Sequence, residues 1–427
     1  MKLMSGTFIL LFLRKHMMKN SRGLSIEIVG GRTELYCTVE KRWLIMGVRK
    51  LLTEEERRYL DDKYTLRHIG GDNILLSSVM QHIRKSRPLL NSSDAFSVFE
   101  TNDLIQIWLQ TPACRFSMEG KCTICNYWAG QEVPGLIAKM ERSVFIPANI
   151  NTILINTCGS CLDPGELVVK EQEQLFEWLN KQPVNDIILE THMSTLSEDV
   201  VRRVYRMIPD KNLFFEIGQE STDKDVQFYS LNKPLPKSGR DIIIDRVHRY
   251  GMKSIVNVVL GAPFLSREEQ ICDAIDSIIT LLQEGADYIM LFPVNIKPNT
   301  LVHFLYDIGM YILVDGSMIA SVLDSLPKEF LPRVGVAWYG EHQEPGVIPP
   351  YIPKMDRREF NMIVSSYNSS DSMDERKQQV KMLLDKGQKW KFEYRRETAD
   401  GCLVERLDKA YQVLCEKILN KGRVYRT

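Results

Sequence analysis

Three of the nine cysteines in this 427-residue chain lie within the stretch CRFSMEGKCTIC, as Cys114, Cys122 and Cys125. The spacing is C-x7-C-x2-C. Thiolates are soft ligands that hold zinc or iron–sulfur clusters. A closed zinc site takes four protein ligands, often as two pairs. Only one C-x2-C pair is present here, and none of the seven histidines lies near it in sequence. His192, from another part of the chain, is the candidate for a fourth zinc ligand. Three thiolates alone suit a [4Fe–4S] cluster in which one iron stays open to a small molecule. An open iron turns an electron carrier into a catalyst, because a chelating ligand receives its electron by direct contact.

The elements that must position these thiols follow a rhythm. Six apolar runs, at 104–110, 152–157, 186–190, 213–218, 254–261 and 287–293, alternate with helical periods. Asp163-Pro164-Gly165-Glu166 reads as a helix start. Ser197 reads as an N-cap, Ser266 and Glu269 as a capping box, and Gly251 as a residue just past a helix end. Strands that are apolar throughout are covered on both faces, so they are parallel with right-handed crossovers. The expected fold class is α/β: a partial (β/α)6 parallel barrel spanning 96–300, between N-terminal (1–95) and C-terminal (301–427) α+β extensions. The cysteine loop follows the first of these strands. Loops at that end of a (β/α) barrel carry the chemistry, and CGSC (158–161), Glu190, Glu220 and Gly261 stand at the same end.

With the cysteine loop at the mouth of such a barrel, the segment 104–295 resembles the radical S-adenosylmethionine (SAM) superfamily. The stretches TPACRFSMEGKCTICNYW, INTCGSCLDPGE, ILETHMSTLSED, EIGQEST and VVLGAPFLSREE are similar, in matching order, to its elongator-catalytic-subunit-like branch and to archaeosine synthase radical subunits. The first cysteine gap is seven residues rather than the usual three, and Ile124 replaces a common aromatic. The resemblance implies a [4Fe–4S] cluster on Cys114, Cys122 and Cys125, with SAM on the open iron. Reductive cleavage of SAM would then give a 5′-deoxyadenosyl radical that abstracts hydrogen from substrate. It also implies that Gly159 and Ser160 bind the methionine amino group. Glu190, Glu220 and Asn257 are further candidates for the cofactor, and a flavodoxin or ferredoxin is the implied reductant. No catalytic residue toward substrate is assigned.

Net charge is +0 and charged residues make up 26% of the chain, so no global field attracts nucleic acid or membrane. The apolar run Phe8–Leu13 is too short to span a bilayer and lacks a cleavage signal. An odd cysteine count in a long chain points to a reducing, cytoplasmic setting. Cys158 and Cys161 read as small buried residues. The stretch 376–396 holds eight Lys/Arg against two Asp/Glu. Its last part, 389–396, alternates Trp390, Phe392 and Tyr394 with charges and reads as a half-buried strand, and the stretch could face RNA. Three readings remain open: an enzyme on a nucleoside in RNA, one on a small molecule or peptide, and a non-catalytic zinc-stabilised binding protein.

Overall fold

Residues 34–37, 42–45, 51–66, 72–85, 94–100, 104–235, 237–338, 346–393 and 401–419 are described by a computed structural model. Phe8–Leu13 and Tyr394 lie outside them. Strands β1 (Glu34–Cys37) and β2 (Arg42–Ile45) form an antiparallel pair. Helices α1 (Glu54–Tyr64) and α2 (Ile74–Lys85) follow.

The main sheet begins with β3 (Phe96–Glu100), which runs antiparallel to β4 (Leu104–Leu109). Then come β5 (Thr152–Asn156), β6 (Asp186–Thr191), β7 (Asn212–Glu220), β8 (Lys253–Leu260) and β9 (Tyr288–Pro293), each parallel to the one before. These are the six strands expected from the apolar runs. The sheet goes one strand further: β10 (Val334–Val336) pairs in parallel with β9, so the parallel wall does not stop at residue 300. Crossover helices α5 (Val169–Lys181), α6 (Glu198–Met207), α7 (Lys237–Arg249) and α8 (Arg267–Gln283) cover the outer face.

Local signals read from the sequence are in place. Ser197 Oγ accepts from Val200 N, and Ser266 with Glu269 closes a capping box. Gly251 takes a left-handed φ of 70° just past α7. One differs: α5 starts at Val169, not at Pro164. Asp163 instead accepts from Gly165 N at 2.9 Å, and the Glu166 carboxylate is turned back on the preceding loop. The 3.6-residue ladder therefore begins only after Glu166.

Inside the barrel, side chains alternate in layers along each strand. Leu104, Leu154, Ile188, Phe214 and Ile255 form an apolar floor with Tyr288 and Met290. Two residues further along the same strands stand Gln106, Asn156, Glu190, Glu216 and Asn257. The lumen is thus apolar below and polar above, and only the upper part can serve a ligand. Between sheet and helices, two large apolar clusters close the outside. Each fully buried Leu or Ile there contributes roughly 1.5–3 kcal/mol relative to exposure.

Helices from before and after the barrel pack together at its mouth. Leu60 of α1, Val79 of α2 and Leu407 and Tyr411 of α13 (Leu403–Leu414) share one core with Phe228, Phe264 and Leu301. Asp225 accepts from Arg57 Nε and Nη2 at 2.6 and 2.8 Å, fixing α1 to the loop after β7. The segment 376–396 departs from the expected strand. Residues 373–387 are a helix and 388–390 a single 3-10 turn. Arg376 is fully buried and donates to the carbonyls of Ser370, Leu331 and Val334. Trp390 is buried against Phe360. The charges of 376–387 follow a helical period, which packing of Val380 and Leu383 fixes, and among the described residues Lys389–Glu393 form no strand; residues 394–396 lie outside them.

Candidate active site

The loop after β4 turns its three thiols toward one cavity. Cys114 precedes a four-residue helix, Arg115–Met118, which takes up most of the seven-residue gap. Gly120 and Cys122 then adopt left-handed φ values of 86° and 62°. At Gly120 a side chain is excluded twice over, because a Cβ would lie 2.6 Å from the Ser77 carbonyl of α2. Thr123 anchors the far side, its N–H donating to Leu231 O and its hydroxyl to Ser230 O. The loop is therefore held by α2 on one side and by the turn after β7 on the other.

All eight residues singled out from the sequence line that cavity: Cys114, Cys122, Cys125, Gly159, Ser160, Glu190, Glu220 and Asn257. The cavity also receives Phe116, Tyr127, Glu166, His192 and Lys233. Burial pushes all three thiols up, Cys114 to about 12. They are therefore protonated at neutral pH, and a metal that binds them must displace the protons.

The loop after β5 lies directly against Cys114. Gly159 N and Ser160 N donate to the two oxygens of Glu166 at 2.8 and 3.0 Å. Burial pushes the Glu166 carboxyl up to about 7, against these two backbone donors. The Ser160 hydroxyl is committed to Thr191 and Thr195 at 2.8 and 3.0 Å. What this loop can offer an ammonium group is thus its carbonyls and Glu166, not the serine hydroxyl. Cys158 Sγ is bonded to Thr111 O and Cys161 is buried in the apolar core, the bland reading for both.

Glu220 ends β7 in a left-handed conformation, φ 63°, at a register break between Gly218 and Glu220. The bulge turns its carboxylate toward buried Lys233, whose Nζ donates to Oε1 at 2.7 Å. Glu220 Oε2 has no partner among the described residues. His192, packed on Phe116, accepts from Ser194 N through Nδ1. That bond places the ring proton on Nε2, which is buried, unpartnered and on the cavity wall. Burial holds this histidine neutral.

Below the mouth, Gln106 donates to Asn156, and Asn156 to Glu190 at 2.8 Å. Glu190 and Glu216 sit at paired register positions of β6 and β7. Burial, and then the charge of Glu190, push Glu216 up to about 8, so it holds a proton at neutral pH. A carboxyl raised from 4.5 binds more protons folded than unfolded between pH 4.5 and 8. Stability therefore falls as pH rises through that window and is level above it. Glu216→Gln is expected to remove the fall. Its advantage over wild type in thermal unfolding scans should grow from pH 5 to 8, to a few kcal/mol at order of magnitude, then hold constant. An advantage that does not vary with pH would contradict the assignment.

The residues present fit the implied cluster. Three thiols line one wall, and the neighbouring position is a glycine where a Cβ would lie 2.5 Å from Cys114 Sγ. Among the described residues, no three His, Cys, Asp or Glu side chains converge as ligands of a single metal ion. Thiols that line one cavity without converging on a single ion suit a polynuclear group, each sulfur on its own iron. Lys233, Glu166 and Glu216 were not legible as site residues.

No protein-family model matches the sequence. The chain is 26% identical over 200 residues to archaeosine synthase subunit beta of Thermococcus kodakarensis, covering 44% of this chain and 60% of that protein. The chain thus spans about three-fifths of the length of the curated relative it matches. Among solved structures it is similar to methylornithine synthase (12% identity, 76% of this chain and 82% of the other, TM-score 0.42). It is also similar to the Methanocaldococcus infernus Elp3 with an N-terminal deletion (14% identity, 47% and 50%, TM-score 0.34).

Proposed function

We propose that this chain, which belongs to the radical SAM superfamily on its elongator-catalytic-subunit-like and archaeosine-synthase-like branch, cleaves SAM reductively and uses the resulting radical on a substrate held at the barrel mouth. The observation that carries this is the convergence of three thiols, a glycine-lined loop and a carboxylate-rich lumen on one cavity. Cys114, Cys122 and Cys125 would hold a [4Fe–4S] cluster. When bound, that cluster supplies one electron to the sulfonium of SAM.

The chain's own groups are suited to hold the cofactor. The 159–160 carbonyls and Glu166 offer acceptors to its amino group. Lys233 offers a positive charge to its carboxylate. Glu190, Glu220 and Asn257 offer acceptors to the ribose hydroxyls, and neutral His192 offers one N–H. The capping core of α1, α2 and α13 keeps water from the mouth. A small redox protein would deliver the electron.

For the substrate, a nucleoside in RNA is the first reading, supported by the relative named archaeosine synthase. The helical course of 376–390 weakens one ground for it, while Lys377, Lys381 and Lys389 are exposed among the described residues of that segment. A small molecule or peptide is the second reading, favoured by the zero net charge. The radical reading is tested by anaerobic reconstitution and a search for 5′-deoxyadenosine after adding SAM and dithionite. Salt-dependent retention of RNA on purification separates the two substrates.

A further inference from the structure

Arg84 sits in the last turn of α2, outside the barrel, and is only 9% exposed. A guanidinium cannot shed its proton, so the charge is buried with it. Buried charge is costly by several kcal/mol unless paired. Among the described residues, Arg84 has no carboxylate partner. Its Nη2 reaches Ser117 Oγ at 3.2 Å and Lys121 O at 3.4 Å, both neutral. Its Nε and Nη1 are buried with no partner. Its carbon centre lies 5.9 Å from the Trp128 ring. Ser117 and Lys121 both lie in the cysteine loop, between Cys114 and Cys122, and the groups whose charge would act on the guanidinium once ionised are Cys125, Cys122 and Cys114. A cation has been placed behind three thiols by a helix that the barrel itself does not need.

We infer that Arg84 is the counter-charge of the cluster held by Cys114, Cys122 and Cys125, and that it raises the cluster's reduction potential. The cluster gains a negative charge on reduction, so a fixed cation beside it favours the reduced state. Net charge and hydrogen bonds near the sulfurs are the levers that set such potentials. The inference rests on the cluster-binding reading above. It also gives the N-terminal segment a role in the site, because α2 both clamps Gly120 and delivers Arg84.

The test is an anaerobic redox titration of the reconstituted full-length protein, followed by EPR of the reduced cluster, for wild type, Arg84→Lys and Arg84→Met. The expected result is equal iron content with a more negative midpoint in Arg84→Met and an intermediate one in Arg84→Lys. Coincident midpoints in loaded protein would overturn the inference alone. Should Arg84→Met not hold iron, Ser117→Asp reads the same quantity, since a carboxylate there pairs the guanidinium. Its midpoint should also fall, and an unchanged one would overturn the proposal. Loss of fold in Arg84→Lys as well as Arg84→Met would assign the side chain to packing and overturn it too. Wild-type protein that takes up no iron would overturn the cluster reading itself, and this inference with it.

Discussion

Gly159→Val should give a folded protein that no longer assembles its cluster. A Cβ at this position would lie 2.5 Å from Cys114 Sγ, 2.5 Å from Glu166 Oε1 and 2.8 Å from Cys114 Cβ. Real Cβ atoms do not approach heavy atoms below 3.0 Å, so something must move. Glu166 cannot, because both its oxygens accept backbone N–H groups of this same loop. Cys114 is left to rotate, which takes one thiol out of the set. Overpacking of this kind costs about 1–3 kcal/mol in fold stability, tolerable for a barrel of this size. At about 1.4 kcal/mol per factor of ten, the same strain directed at one ligand lowers cluster retention by roughly tenfold or more. Gly159→Ala should fall between. Iron and sulfide counts beside a circular dichroism melt check this. Full iron loading in Gly159→Val would mean that the loop does not abut the cluster.

The second large effect is expected at Lys233. Lys233→Met leaves half-buried Glu220 without its 2.7 Å partner, and with its other oxygen unpaired among the described residues. Breaking one side of a buried pair costs about 3–5 kcal/mol, whereas removing both charges is often close to neutral. Chemical denaturation should therefore show Lys233→Met strongly destabilised and Lys233→Met/Glu220→Gln largely recovered. SAM binding by calorimetry should stay weak in both, because both lack the Lys233 charge that faces the cofactor's carboxylate. Recovery of binding along with stability in the double variant would show that the pair serves the fold and not the ligand.

What the sequence made legible was whatever has a short-range cause. Six apolar runs are strands because both their faces are covered, and their order along the chain is their order in the sheet. Ser197, Ser266 and Gly251 act within a few residues, so their caps could be read directly. The eight candidate residues line one cavity because each stands in the loop after a strand, at its end or, for Asn257, within it, and the fold brings those positions together. The remainder depended on contacts distant in sequence. Glu166 looked like the third residue of a helix, yet its carboxylate is used on the backbone of Gly159 and Ser160. Lys233 follows β7 with no periodic signal, and only the bulge at Gly218 and Glu220 gives it a partner. Arg84 reads as an ordinary basic residue at a helix end until the cysteine loop is seen packed against it. The stretch 389–396 alternates like a strand, but Trp390 is drawn into a helical core by Phe360, and tertiary packing overrides the local pattern.

The central claim is that Cys114, Cys122 and Cys125 hold a cluster that cleaves SAM. The most direct measurement is anaerobic: count iron and sulfide in reconstituted wild type and Cys122→Ala, then add SAM and dithionite and quantify 5′-deoxyadenosine. About four irons per chain, with product in wild type and none in Cys122→Ala, is the predicted result. Stoichiometric zinc in place of iron, or a full cluster that leaves SAM intact, would contradict it.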